Sequence, residues 1–423
     1  MDKLEIIGGN RLEGIIDVSG AKNAALPLMI TTLLTNKPVT LNNVPALADI
    51  KTLSSLLESL GCAVKLDSTT GTMVLETKSL SSHRAEYDLV RKMRASIFVL
   101  GPLLAHHKQA EVSLPGGCAI GTRPVDLHLE AMEALGATID IKEGYIFASA
   151  PDGLVGAEII FPKVSVGATE NALMAATLAK GTTKIRNAAK EPEVVDLAEC
   201  LNKMGAQITG AGTDTIIIEG VESLDGTTHD VVADRIEAGS YAIAACVTQG
   251  DITLTHLNYK LLDSFWSKLK ECGADVRFNE NGENTVRIIM DKAPNAIDVM
   301  TEPYPGYPTD LQAQIMALNC VSQGAGMVTE TIFENRFMHV PELCRLGANI
   351  TVHSNSALVR GVEKLNGAPV MATDLRASMA LVLAGLAANG KTTINRLYHL
   401  DRGYENLEKK LTNCGAKIER VKE

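Results

Sequence analysis

Leu60-Gly61-Cys62-Ala63-Val64 is followed about 70 residues later by Leu135-Gly136-Ala137-Thr138-Ile139, and the phrase keeps returning. Met204-Gly205-Ala206-Gln207-Ile208, Cys272-Gly273-Ala274-Asp275-Val276, Leu346-Gly347-Ala348-Asn349-Ile350 and Cys414-Gly415-Ala416-Lys417-Ile418 bring the copies to six. An internal period of this length marks a repeated supersecondary unit, so the fold is read one unit at a time. Each copy follows an amphipathic stretch such as Leu53 to Leu60 or Leu261 to Cys272. The glycine therefore reads as the end of a helix that leads into a strand.

A second phrase precedes each copy, with Thr alternating with Ile, Val or Leu, as in Thr182-Thr183-Lys184-Ile185 and Asp251-Ile252-Thr253-Leu254. These are strands. Before each strand lies a nearly uncharged, Ala-rich run: residues 24–34, 95–105, 168–179, 238–247, 311–321 and 377–388. A helix apolar on every side has to be buried on every side. The expected fold class is α/β, each unit running βαβαββ around a buried helix, with three units in each of two domains and the sheets facing outward. Residues 4–7 and 14–18 are strand-like and have no helix before them, so both are expected to complete the last unit. The domains are then 21–231, and 1–20 together with 232–423, with the active site in the cleft between them.

Composition narrows the function. A net charge of −10 disfavours a nucleic-acid surface, which carries a basic face. The first residues lack the basic and apolar regions of a signal peptide, and no apolar run is long enough to span a bilayer, so a cytoplasmic protein with no membrane insertion is expected. Eight Cys are scattered without a Cys-x-x-Cys pair or a His at ligand spacing, which argues against a zinc site or a disulfide framework. Most of them lie in apolar stretches and read as small buried hydrophobes. Cys118 differs, because Pro115, Gly116, Gly117 and Gly121 make its surroundings a loop, and Arg123 close by favours a thiolate or an anion.

The starts of the six buried helices are polar or small where their interiors are apolar. They include Lys22-Asn23, Arg94, Ser165-Val166-Gly167, Asp234-Arg235, Asp310, and Asp374 with Arg376. Helix N-termini present unpaired N–H groups and the positive end of a dipole, a setting suited to anions. Any one of these residues alone reads as a cap or a solvated charge. Their recurrence at one place in every repeat points to a shared anionic ligand.

Several of these segments resemble the enolpyruvyl transferase family: Ser19 to Asn23, Met93 to Ser96, Pro115 to Cys118, Arg123 to Leu127, Lys163 to Thr169, Pro308 to Asp310, Phe333 to Phe337, Thr373 to Ser378 and Asp401 to Tyr404. The resemblance runs along essentially the whole chain. It implies two domains, each an inside-out α/β barrel of three similar units. It also implies enolpyruvyl transfer from phosphoenolpyruvate to the 3-hydroxyl of UDP-N-acetylglucosamine, with no cofactor and no metal, by a monomer or weak homo-oligomer. Cys118, Asp310 and Lys22 would be catalytic. Substrates would be bound by Lys22, Asn23, Arg94, Arg123, Pro124, Val125, Asp126, Leu127, Lys163, Ser165, Val166, Gly167, Asp310, Ile332, Arg336, Asp374, Arg376 and Arg402. The alternatives are a sister enzyme that uses 3-phosphoshikimate as acceptor, and a silent paralogue that only binds the nucleotide sugar.

Overall fold

The structure, a computed structural model, describes residues 2–115, 125–280 and 282–422. Among the described residues, contacts divide the chain into two compact units, one of 2–19 with 233–422 and the other of 20–115 with 125–232. Six four-stranded sheets are present among the described residues. One copy that shows the repeat in uninterrupted chain order runs Glu158–Ile160, helix Val166–Ala176, Thr182–Arg186, helix Pro192–Lys203, Gln207–Thr209 and Thr215–Glu219. Its first two strands are parallel, joined across the buried helix, and its last two pair as an antiparallel hairpin. That order follows from connection length, since a parallel pair needs a crossover of a dozen residues and a hairpin only a turn. The six repeat glycines have φ between 91° and 107°. A Cβ in this left-handed region meets the neighbouring carbonyl, so glycine ends each surface helix and turns the chain into its strand.

The Ala-rich runs are the buried helices. Arg235–Val247 is buried from Ile236 onward, Gln312–Cys320 along its whole length, and Leu375–Ala387 from Arg376 to Leu386. These three pack on one another in their unit. In the other unit the corresponding helices are Lys22–Ile30, Leu100–His107 and Val166–Ala176. Small side chains allow this close approach. Some of the polar groups buried with them are paired within the unit, as where Asn171 accepts from the Gly101 N–H at 2.9 Å and donates to the Ile97 carbonyl at 3.2 Å.

The start of the chain departs from expectation. Lys3–Ile7 does complete the sixth sheet, lying antiparallel between Lys391–Asn395 and Lys417–Val421. Glu13–Asp17 does not follow it there; it pairs in parallel with Asp251–Thr255 in the fourth sheet. Gly8 begins the link between them and runs against the end of the Leu375–Ala387 helix, where a Cβ would come within 2.2 Å of the Ala388 oxygen and 2.3 Å of the Gly385 oxygen. In the other unit the late strand Thr227–Asp230 lies parallel to the early strand Val39–Asn42.

Cys62, Cys200, Cys246, Cys272, Cys320 and Cys414 are buried, as expected of small hydrophobes, whereas Cys344 is exposed. It lies in the short helix Val340–Arg345, which buries only Val340 and Leu343. Among the described residues no helix is long and apolar enough to cross a membrane.

Candidate active site

Three buried helices begin with a side-chain cap. Ser165 accepts from the Ala168 N–H, Asp234 from those of Ile236 and Glu237, and Asp374 from those of Arg376 and Ala377. The segments opening with Lys22, Arg94 and Thr309-Asp310 have no such bond, and the last two enter their helices through 3-10 turns, Arg94–Val99 and Thr309–Leu311. The uncapped starts are the ones that carry Lys22, Arg94 and Asp310. Their N–H groups are not taken by a local capping side chain.

In the unit that holds Asp310, the structure draws three predicted residues together. Arg336 donates to Asp310 Oδ1 at 2.7 Å, and Arg376 donates to Oδ2 from Nε at 3.1 Å, with Nη2 in ion-pair contact at 3.0 Å. The guanidinium side chains are only 6% and 4% exposed, while the carboxylate is 26% exposed. The acid is therefore gripped from inside and still open to a ligand. Burial opposes the Arg376 charge, but Asp310, with Tyr404 and Asp234, outweighs it and lifts its pKa above the ordinary arginine value. The backbone is fixed as well, since Gln314 Nε2 donates to the Asp310 carbonyl at 2.8 Å and lies 3.2 Å from both Ser240 Oγ and the Tyr404 hydroxyl. Ile332 presents its N–H to Glu330 at 2.8 Å. Asp374 spends Oδ1 on its cap, and its charge is felt by both His339 and His399. Arg402 ends the turn Leu397–Arg402 and helps to lower the pKa of half-buried His399, where desolvation is the larger cause.

In the other unit Lys22 is buried beside Asp49, with Nζ 3.2 Å from Oδ2 and side chains 8% and 5% exposed. Asn23, its neighbour, is exposed, as are Lys163 and Asp126. Val125 and Leu127 are buried at the start of the Asp126–Ala134 helix. Half-buried Val166 follows the Ser165 cap, and Gly167 passes so close to two rings that a Cβ would lie 2.9 Å from Phe98 and 3.3 Å from His128. Desolvation, and then the charge of half-buried Arg94, push the His128 pKa down to about 4. Cys118, Arg123 and Pro124 lie outside the described residues.

The family model for EPSP synthase (3-phosphoshikimate 1-carboxyvinyltransferase) matches residues 6–411. The chain belongs to the EPSP synthase family of enolpyruvyl transferases. Among its relatives, the UDP-N-acetylglucosamine 1-carboxyvinyltransferase of Cereibacter sphaeroides is 57% identical, with both chains covered in full. That of Paracoccus denitrificans is 58% identical over all of this chain and 99% of its own. Among solved structures, the enolpyruvyl transferase NikO from Streptomyces tendae superposes with a TM-score of 0.87 at 25% identity, covering 99% of each chain. EPSP synthase from Acinetobacter baumannii gives 0.78 at 16% identity over the full length of both, a likeness of fold alone.

In this enolpyruvyl transferase two residues without a predicted role support predicted ones. Asp49 lies on the buried face of the Ala48–Leu60 helix with Ile50, Leu53, Leu56 and Leu57, so an acid at an apolar period was its signal. Glu330, the residue after the Ala325–Thr329 strand, continues the inward alternation of Gly326 and Val328. An acid on the core side of a strand is rare unless its charge is paired or hydrogen-bonded.

Proposed function

We propose that the chain transfers the enolpyruvyl group of phosphoenolpyruvate to the 3-hydroxyl of UDP-N-acetylglucosamine and releases phosphate, the first committed step of peptidoglycan precursor synthesis. The observation that carries the choice of acceptor is the full-length identity of 57–58% to relatives named for that reaction, against 16% to an EPSP synthase of known structure. In this reading Asp310 takes the hydroxyl proton as the sugar oxygen attacks C2 of the enol, and Cys118 supplies a proton to C3. The tetrahedral ketal then loses the C3 proton and phosphate, restoring the double bond. Arg336 and Arg376 keep the Asp310 carboxylate oriented. Arg376 is itself backed by Tyr404, whose ring centroid lies 5.7 Å from the guanidinium carbon.

Lys22, Asn23, Arg94, Arg123 and Arg402 would bind the phosphates, and their cations would stabilise the charge that develops on the leaving group. Residues 123–127 and 163–167, with Ile332, would hold the nucleotide sugar. The setting is the cytoplasm, with the protein as a monomer or weak homo-oligomer. Phosphate release tests the reading. It is expected with phosphoenolpyruvate and UDP-N-acetylglucosamine, and release with 3-phosphoshikimate instead would reassign the acceptor. Cys118→Ala should abolish turnover at neutral pH while leaving nucleotide-sugar affinity within about a few-fold. A variant that keeps most of its activity removes the thiol from the mechanism.

A further inference from the structure

We infer that Glu330 is a positioning residue for Asp310, acting through the Thr309 hydroxyl and the Arg336 guanidinium. The inference rests on the assignment of Asp310 as base. Glu330 is 2% exposed. Its Oε1 accepts from Thr301 Oγ1 at 2.9 Å and from the N–H groups of Ile332 and Phe333 at 2.8 and 3.2 Å. Its Oε2 accepts from Thr309 Oγ1 at 2.8 Å. One carboxylate thus anchors both the residue before Asp310 and the loop that delivers Arg336.

The polarity of this chain of bonds is fixed by what each group can do. Arg336 can only donate. Its Nη1 lies 2.5 Å from Thr309 Oγ1, so that oxygen accepts there. The hydroxyl has a single proton, which is left for Glu330 Oε2. With Thr309 so turned, Arg336 is held at one nitrogen and brings the other to Asp310 Oδ1 at 2.7 Å. Gln at position 330 has the same shape and the wrong polarity. If its amide oxygen stays with the Ile332 and Phe333 N–H groups, its NH2 points at the Thr309 hydroxyl, whose own proton then loses its acceptor. If the amide flips, NH2 faces two N–H donors.

The test compares Glu330→Gln, Thr309→Val, the double variant and Thr309→Ser in the full chain, by steady-state phosphate release and by crystal structures without substrate. Each of the first two should lower kcat about tenfold with KM for phosphoenolpyruvate within about twofold. The double variant should be no slower than the slower single variant, because both break one chain of bonds. Thr309→Ser, which keeps the hydroxyl, should restore most of kcat. Multiplicative losses, or a Glu330→Gln enzyme with normal kcat, overturn the inference. If the unaltered chain releases no phosphate, the functional reading fails and the crystal structures decide the positioning. Arg336 leaving Asp310 in Glu330→Gln supports it, and an unchanged 2.7 Å contact refutes it.

Discussion

Asp310 and Lys22 each stand at the start of a buried helix, one in each unit, and each faces opposite charge at a different depth. Two buried guanidinium groups converge on the single, part-exposed Asp310 carboxylate. Lys22 lies beside the Asp49 carboxylate, and both are buried. The first arrangement leaves an oriented acid with positive charge around it, suited to a reacting anion. The second brings an ammonium into the interior at the cost of desolvating a pair, a cost that close contact offsets only when the geometry holds. One unit is organised around orientation and the other around keeping a cation in place.

Asp310→Asn tests the orientation side and should have the largest effect, slowing kcat about 10²–10⁴-fold while nucleotide-sugar affinity stays within a few-fold. Equal turnover with altered affinity would make Asp310 a binding group and dissolve the contrast. Asp49→Ala tests the other side. Removing the acid half of a buried pair should cost about 3–5 kcal/mol of stability, read from the urea midpoint, and should also weaken anion binding. A loss below about 1 kcal/mol would place the pair with ordinary surface ones.

The smallest expected effect is one the two units share. His128 in one and His339 in the other are each held near pKa 4, in both cases chiefly by burial. For His339 the charge of Asp374 opposes the shift and that of Arg336 aids it. Above about pH 6.5 both rings are neutral whether folded or not, so pH has no leverage through them. Below that the unfolded chain binds protons that the folded chain refuses. Stability should therefore fall by about 1.4 kcal/mol per pH unit for each ring down to about pH 4. Urea titrations at pH 7, 6 and 5 measure the slope, and His339→Leu should remove one proton from it. An unchanged slope would mean that His339 takes up its proton without unfolding.

The repeat was legible in sequence because local rules set it: glycine at a left-handed position, an apolar run that has to be buried, alternation in the strands. The Arg-bracketed Asp310 could be approached through recurring helix starts and family resemblance. Asp49 and Glu330 could not, because each works through a partner 27 or 21 residues away. Only the fold brings those partners together, although an acid on an apolar face was a visible hint in both. Separating the Glu13–Asp17 strand from Lys3–Ile7 likewise depended on how Gly8 passes two carbonyls, which no periodicity encodes.

Lys3–Ile7 sits between Lys391–Asn395 and Lys417–Val421 in its sheet. On a ribosome adding about 5–20 residues per second, Lys3–Ile7 waits roughly 20–80 s for these neighbours. The unit of residues 20–232 holds its own strands and can close during synthesis, while the other has to keep Lys3–Ile7 unpaired until residues 391–421 are made. A pause anywhere between residue 7 and residue 391 lengthens that exposure, so chaperone dependence should rise with the total time taken to reach the late strands.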